Sequence, residues 1–323
     1  MLDSVTIIHG PVGCAHHNFS LLHVSGLDMK RFPLPSLIST ALDERDIIFG
    51  GEDALRTAIT HAKRRQPEAI FVLSSCTAET IGDDVQGICA SFPGNRIHVV
   101  PTGGFLGGSF EDGFSNALVS LACTAGQGGN GGNPPGGVNL IGEKNLEYEV
   151  EQHYAEVARL LGLLGLPVRV RFVHRIRAGD FDAIGSASLN ILRDPGLKIV
   201  GDLLHEKFGI PYVRSFPVGL KGTCRFLRET GELMNIDPSA AVKAEKEEQV
   251  RMLATFDDLA GFPVCIPEML AKSSDWALIN ELVQALDLNP RENGPLLSYA
   301  PPFPVGTTGI RRLLHRWRRI IHA

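Results

Sequence analysis

The sequence lacks the features that would assign it to several common classes of protein. Within its 323 residues, no apolar run approaches the roughly 18 residues that a membrane-spanning helix needs, so we expect no membrane span. The N-terminus carries Asp3 and has no basic start followed by an apolar stretch, which argues against a signal peptide. No segment matches the phosphate-binding pattern GxxxxGKS or GxxxxGKT, so the chain itself is not expected to hydrolyse ATP.

Charge and cysteine content exclude two further classes. The chain has 31 basic and 36 acidic residues and a formal net charge of -5, so nothing indicates a nucleic-acid-binding protein. Six cysteines spread over this length do not form the dense pattern of a small secreted disulfide protein. With 44% hydrophobic and 21% charged residues, the composition is typical of a soluble globular protein, and we expect a reducing, cytoplasmic location.

Strand-like and helix-like runs alternate along most of the chain. In residues 1–125, short apolar runs such as VTII and AIFVL alternate with longer amphipathic runs such as EDALRTAITHAKRR. This order predicts an α/β fold with a doubly wound parallel sheet. Residues 126–137 contain no apolar residue and are mostly Gly, Asn and Pro, which is typical of a flexible linker. We expect a second α/β domain in residues 138–239, and a third, shorter domain with the C-terminal helix in residues 240–323.

Two cysteines occupy equivalent positions, each where a strand-like run gives way to a helix-like run. Cys14 follows VTII and the glycines Gly10 and Gly13, and Cys76 follows AIFVL and two serines. The free N–H groups and the dipole at a helix N-terminus favour the thiolate, which is the form that binds metal. Glycine has no Cβ atom and would let an inorganic cluster approach the backbone closely. The alternative, that both thiols are small buried core residues, is common for free cysteine and fits the spacing equally well.

The other cysteines are predicted to have structural roles. Cys89, Cys123 and Cys265 lie in apolar runs and are expected in the core. Cys224 follows the turn PVGLKGT and could approach a cavity. Lys221 in that turn could bind an anionic group such as a carboxylate, although a solvated lysine is the commoner case.

Polar residues beside the cysteine pair have competing interpretations. His16 and His17 could tune or ligate a cluster, or donate protons to a substrate, or form a solvated or interface pair. Glu79, Asp83 and Asp84 follow the second cysteine closely, where early acids suit a helix dipole. The residue pattern alone leaves the role of the histidines open.

Several motifs, taken in order, resemble those of the component 1 subunits of nitrogenase and nitrogenase-like reductases. They are HGPVGC, DERDIIFGGEDALRTAI, SSCTAETIGDDV and PTGGFLGGSFEDGF, followed by VNLIGEKN, EKFGIPYV, FPVGLKGTCRFL and PPFPVGTTG. The two cysteine motifs together with FGGEDAL are far more specific than any one segment. The resemblance touches most of the chain and favours the cluster-ligand interpretation of the two cysteines.

The resemblance implies repeated Rossmann-like domains of which the last is shortened. It implies an iron–sulfur cluster, of the 4Fe–4S type, bound at a subunit interface by Cys14 and Cys76 with Gly13 beside them. The second subunit would be another copy of the chain or a related component 1 subunit. A separate ATP-hydrolysing iron protein would supply the electrons, in keeping with the lack of a phosphate loop here.

Three departures from the family pattern limit what the resemblance implies. The family has a further ligand cysteine before the GPxGC motif, so either the gene start is truncated or each subunit gives two of the four thiolates. The cysteine and histidine that hold the iron–molybdenum cofactor in nitrogenase are missing from ASLNILRD and NGPLLSYA, which argues against dinitrogen reduction. Residues 240–323 are shorter than the family's last domain, with one strand and two or three helices expected.

Two functional hypotheses from different classes follow, with a third held in reserve. The first is a reductase of a substrate other than dinitrogen, for which relatives with similar gaps suggest a tetrapyrrole. The second is a scaffold that holds a metallocluster precursor during cofactor assembly without turning over a substrate. The third is a truncated paralogue that binds no cluster.

Overall fold

Two four-stranded parallel sheets form the framework of the protein. The computed structural model describes residues 3–28, 36–93, 96–105, 107–126, 136–144, 147–172, 174, 176–268, 275–297, 299 and 303–323. The predicted fold class, α/β with parallel sheets, is confirmed.

The first sheet and its helices form the N-terminal part of the chain. Its elements are β1 (Ser4–His9), α1 (Val12–Asp28), β2 (Ser36–Ser39), α2 (Glu44–Phe49), α3 (Glu52–Lys63), β3 (Ala69–Ser74), α4 (Cys76–Ile81), α5 (Val85–Ala90), β4 (Ile97–Pro101) and α6 (Phe110–Thr124). The strands lie in the order β2-β1-β3-β4, and Ile7 of β1 is opposite both Ile38 and Val72. Strand β3 is buried along most of its length, which explains its continuous apolar run.

The second sheet repeats this arrangement. Its elements are β5 (Val138–Ile141), α7 (Val150–Gly162), β6 (Val168–Phe172), α8 (Phe181–Ile184), β7 (Leu189–Leu192), α9 (Lys198–Phe208), β8 (Tyr212–Val213) and α10 (Leu220–Leu233). The strand order is β6-β5-β7-β8, again all parallel. In each sheet the first strand, β1 or β5, lies between the second and third strands, so the functional turns follow the carboxyl ends of neighbouring strands.

The remaining part of the chain is mostly helical. Its elements are α11 (Ser239–Ala254), β9 (Pro263–Val264), α12 (Trp276–Ala285), β10 (Asn289–Pro290) and α13 (Gly306–Ile321). Trp317 of α13 is buried in one cluster with Phe256 and Val264. The expectation of a single strand here is wrong, because β9 pairs in parallel with β10. A strand of two residues that ends in proline leaves no periodicity to detect in the sequence.

One hydrophobic core joins the two sheets. Leu118 and Leu121 of α6 belong to the same buried cluster as Phe71 of β3, Ile141 of β5 and Leu204 of α9. Each fully buried leucine of this kind contributes about 1.5–3 kcal/mol to folding. Helix α6 therefore packs against both sheets.

The proposed domain boundaries stay predictions. Most of the proposed linker, residues 127–135, lies outside the described residues. Among the helices that the structure describes, none combines the length and the apolar character needed to cross a membrane.

Candidate functional site

The two cysteines lie at one edge of the first sheet. Strands β1 and β3 are paired in register up to His9 and Ser74, so the turns that follow them are adjacent. The Ser75 N–H donates to the His9 carbonyl at 2.9 Å. A Cβ atom on Gly10 would lie 2.2 Å from Ser75 Oγ, so glycine is needed there for one turn to pack against the other. We call these two turns, residues 10–14 and 75–76, the first-sheet edge.

Cys14 lies in the first turn of α1 and is partly buried. Its N–H donates to the Pro11 carbonyl at 3.0 Å, which closes the turn. Gly13, unlike Gly10, has no atom of the described chain within 4 Å of where its Cβ would be. Glycine inside a helix costs roughly 0.5–1 kcal/mol relative to alanine. No packing contact within the described chain explains why position 13 is a glycine.

Cys76 is the first residue of α4, behind the capping residue Ser75, whose hydroxyl accepts from Ala78 N at 3.3 Å. The Cys76 sulfur accepts a hydrogen bond from the Gly104 N–H at 3.1 Å. The Cβ position of Gly104 is also free of neighbours, so the described chain leaves open space beside this sulfur.

A buried polar network supports the first-sheet edge from below. The His9 ring, which is fully buried, contacts Asp83 at 2.9 Å through Nε2 and the Thr40 hydroxyl at 3.2 Å through Nδ1. Asp83 also accepts from the Gly51 N–H at 3.0 Å. Burial lowers the pKa of His9 below its usual value, and the hydrogen bond and charge of Asp83 offset this only in part. The motifs HGPVGC, FGGEDAL and TIGDD therefore meet in one hydrogen-bonded unit.

A second acid holds the glycine loop beside Cys76. Glu79 accepts from the Ser74 hydroxyl at 2.6 Å and from the Gly103 N–H at 3.1 Å. A Cβ atom on Gly103 would lie 1.9 Å from the Glu79 carboxylate, so the loop needs glycine here. The predicted helix-dipole role therefore does not fully describe Glu79 and Asp83. Both side chains also form hydrogen bonds with residues that are far away in the sequence. Asp84 caps α5 by accepting from Gly87 N at 2.8 Å.

The carboxyl edge of the second sheet has a different character. Arg193 follows β7 within LNILRD, bonds to Glu147, and lies 3.1 Å from the His153 ring nitrogen. Its guanidinium also stacks on Phe216 at 4.4 Å. The side chains of Arg193, Glu147 and His153 are all less than a tenth exposed. Although burial opposes it, hydrogen bonds from His153 and Arg193 hold the pKa of Glu147 below its usual range.

A second group of ion pairs completes this edge. Arg171 of β6 bonds to Glu143 at 2.6 Å and to Glu151 at 2.8 Å, and Glu151 accepts from His174 at 2.9 Å. Against the opposing effect of burial, these bonds lower the pKa of Glu151 to about 2. Burial raises the pKa of Glu143 despite Arg171. We call both groups together the second-sheet edge, made of Glu143, Glu147, Glu151, His153, Arg171, His174 and Arg193.

The structure separates the other cysteines from the pair. Cys89 is buried, and burial raises its pKa to about 11, as suits a core thiol. Cys265 is partly buried and Cys224 is buried. The prediction that Cys123 is a core residue is wrong, since it lies exposed at the end of α6. His16 and His17 are exposed on α1, with ring centroids 6.0 Å apart.

The first-sheet edge is incomplete as a metal site within one chain. Among the described residues, no group of three or more His, Cys, Asp or Glu side chains is arranged to hold a metal ion. Large apolar side chains stand exposed on the segments that flank the two cysteines, however. They are Val12 on α1, Ile48 and Phe49 on α2, which packs against α4, and Phe105 next to Gly104, of which Phe105 is 88% exposed. Apolar exposure of this extent around a polar site is typical of a protein interface.

Sequence comparison relates the chain to one family. The family model described as nitrogenase component 1 type oxidoreductase matches residues 1–276. The chain is 29% identical over 239 residues to the nitrogenase iron-molybdenum cofactor biosynthesis protein NifE of Clostridium pasteurianum, covering 72% of this chain and 50% of that protein. It is 25% identical over 272 residues to the nitrogenase molybdenum-iron protein alpha chain of the same organism, covering 80% and 49%. The chain spans about half the length of these curated relatives.

Structural comparison agrees at the level of the fold. The model superimposes on the solved structure titled "Nitrogenase Cp1 at pH 6.5" with a TM-score of 0.67. The match covers 89% of this chain and 57% of that chain at 22% identity, which concerns the fold alone.

Proposed function

The chain belongs to the family of nitrogenase component 1 type oxidoreductases, and on that premise we propose that it is the cluster-bearing subunit of a nitrogenase-like two-component reductase. The cluster is an iron–sulfur cluster of the 4Fe–4S type, held by Cys14 and Cys76. The observation that carries the proposal is the pairing of β1 with β3, which brings the two cysteine turns side by side.

The residues at this edge fit such a group. Cys14 and Cys76 would supply thiolates, and the Gly104 N–H already donates to the Cys76 sulfur. Gly13 and Gly104 leave open space where any larger residue would place a Cβ atom. Bound there, the cluster would supply one-electron transfer. The buried bonds of His9 and Asp83 keep the turns in place whether or not anything is bound.

Two thiols supply half of a four-thiolate site, so a partner subunit completes it. The partner is a second copy of the chain or a related component 1 subunit. The exposed apolar side chains on the segments that flank the cysteines, Phe49 and Phe105 among them, support an interface at this position. The electron donor is a separate iron protein that hydrolyses ATP, since this sequence has no phosphate loop.

The substrate we propose is a tetrapyrrole rather than dinitrogen. The family resemblance suggests this class, and the second-sheet edge supports the exclusion of dinitrogen. In LNILRD, where nitrogenase has a cofactor-ligating cysteine, this chain has Arg193 in a buried ion pair. The Arg193 guanidinium is bonded to Glu147 and stacked on Phe216, so it is already engaged within the chain. It also offers no sulfur ligand.

Metal analysis of cysteine variants tests the cluster. In anaerobically purified protein we expect iron and sulfide, and an electron paramagnetic resonance signal after dithionite reduction. Cys14→Ala and Cys76→Ala should each lose most of the iron. Cys123→Ala, which removes an exposed thiol elsewhere, should keep it. Full iron content in Cys76→Ala would contradict the proposal.

The similarity to NifE, which is named as a cofactor biosynthesis protein, favours a second candidate function. In this alternative the chain is a scaffold that holds a metallocluster precursor without reducing a substrate. Re-oxidation of the reduced cluster by a tetrapyrrole, with iron protein and ATP present, would favour the reductase. Transfer of bound metal to an acceptor protein, with no re-oxidation by any macrocycle, would favour the scaffold.

A further inference from the structure

A cavity of about 750 Å³ lies between α10, α11 and α12. Lys221, Arg225 and Arg228 of α10 line one wall, and Lys246 of α11 lines the other. A second hollow of about 460 Å³ shares Arg228 and Lys246 with it and adds Lys243. The volume lies within the range of sites for small organic molecules.

Cations outnumber carboxylates in the lining of the larger cavity, and the smaller hollow adds one carboxylate, that of Glu247. The only carboxylate in the lining of the larger cavity, among the residues described, is that of Glu281. Glu281 is already engaged, since it accepts from the backbone N–H groups of Leu220 at 2.8 Å and Lys221 at 3.0 Å. Elsewhere in the described chain, arginines such as Arg159, Arg171 and Arg193 form ion pairs with glutamate. The cavity thus concentrates positive charge in a protein whose net charge is -5.

The spacing of the cations places them on facing sides of two helices. On α10 they are four and three positions apart, and on α11 Lys243 and Lys246 are three apart. Like charges at these spacings repel each other and destabilise a helix. A concave wall of one charge also focuses the field on whatever enters it. The arrangement costs folding energy and favours an anion.

The rest of the lining is apolar or already satisfied. Val218, Leu220, Ala277 and Leu278 contribute apolar surface. Gln249 uses its Nε2 to donate to the Leu220 carbonyl at 3.0 Å. Burial raises the pKa of the Cys224 thiol, so it stays protonated and is a poor metal ligand. These surfaces suit the apolar body of an organic molecule and do not suit a metal ion.

We propose that the cavity between α10, α11 and α12 binds a small organic polyanion, a molecule with an apolar body and at least two carboxylate or phosphate groups. The anionic groups bond to Arg225 and Arg228 on one side and Lys246 on the other. The apolar body rests on Leu220 and Leu278. The site is independent of the cluster, and the proposal does not rest on the proposed function.

Calorimetric titration of the full chain, at low and high salt, tests the proposal with three probes. ATP represents nucleoside phosphates, uroporphyrin represents carboxylated macrocycles, and inorganic pyrophosphate is a polyanion without an apolar body. At least one organic probe should bind saturably and more tightly than pyrophosphate, and should weaken as salt rises. Whether ATP or uroporphyrin binds better identifies the source of the anionic groups.

Charge reversal locates the binding. Arg225→Glu and Lys246→Glu, on opposite walls, should each weaken binding about tenfold or more, as expected for loss of a charge-assisted hydrogen bond. Arg319→Glu, the same kind of change at an exposed site on α13, should leave affinity within about twofold. Melting temperatures identify any variant that fails to fold. Unchanged affinity in both folded cavity variants, or no saturable binding of either organic probe, would overturn the proposal.

Discussion

The two sheets have the same strand topology, but the side chains at their carboxyl edges differ in kind. At the second-sheet edge, Arg171 is partly buried and the Arg193 side chain largely so; both are bonded to glutamates, and the chain satisfies its own charges. At the first-sheet edge, Cys14 and Cys76 are partly buried beside empty glycine positions and exposed apolar side chains. One edge bonds its own polar groups to each other, and the other leaves two thiols beside open space among the described residues.

The difference teaches where this fold keeps its chemistry. Buried charges must be paired, so an edge made of ion pairs holds its own structure and has no capacity left for a ligand. The first-sheet edge has two thiols and a directed N–H group but no ion pairs of this kind. A hydrogen-bonded network behind it holds its two turns together. Here that network is His9 with Asp83 and Thr40.

The largest effect expected is from removing the central cation of the second-sheet edge. Arg193→Ala should lower the free energy of unfolding by about 3–5 kcal/mol, because the buried Glu147 loses its charged partner and keeps only the His153 ring. Cys14→Ala in cluster-free protein is the comparison at the other edge and should cost less than about 1 kcal/mol. Urea unfolding measures both. A cost below about 1 kcal/mol for Arg193→Ala would mean that these ion pairs do not hold the edge.

A smaller loss is expected when the support of the first-sheet edge is crowded. In Gly51→Ala the new Cβ would lie 2.6 Å from Leu42 and 2.8 Å from the Asp83 carboxylate. We expect a loss of about 1–3 kcal/mol in unfolding free energy and weaker retention of iron. Gly162→Ala is the control, because its Cβ meets nothing within 4 Å. Equal stability of the two variants would show that the network tolerates displacement.

Acid should weaken the two edges at different pH. Burial lowers the pKa of folded His9 below its ordinary 6.5, so the unfolded chain takes up this proton first and stability falls as pH drops through 6.5. Glu151, with a pKa of about 2, keeps its contribution until pH falls below the ordinary 4.5 of glutamate. Urea unfolding at pH 7.5 and 5.5 should show a smaller pH dependence in His9→Gln than in the parent. An identical dependence would contradict this assignment.

The smallest expected effect is a gain in the stability of the protein together with a loss of bound iron. Gly13→Ala should raise the unfolding free energy of cluster-free protein by about 0.5–1 kcal/mol, because alanine favours the helix and meets no atom of the described chain. The same methyl group should reduce iron content if a cluster lies against it. Thermal melting and iron analysis on one preparation give both numbers. Raised stability with full iron content would remove Gly13 from the site.

Sequence patterns predicted the fold better than they predicted the site's support. The apolar runs of β1 and β3 are long enough to be recognised, and they locate the turns that carry Cys14 and Cys76. The short strands β2 and β10 leave too little pattern to detect. The ligand role of the cysteines is still a prediction.

The contacts of His9 could not be predicted from the sequence. Its partner Asp83 is 74 positions away, and a separation of that size becomes a hydrogen bond only through the complete sheet. The one available signal was a histidine placed directly after an apolar strand, where water is excluded. The ion pairs of Arg193 have the same origin, since Glu147 lies 46 positions earlier.

Helix α6, whose Leu118 and Leu121 are buried against both sheets, sets a limit on how this architecture can be divided. A fragment cut after residue 125 would carry the complete cysteine edge but would leave that helix face, and Phe71 beneath it, without cover. Such a fragment should aggregate or stay molten rather than serve as a minimal cluster-binding module. We therefore expect an engineered transplant of the cysteine site to require both sheets.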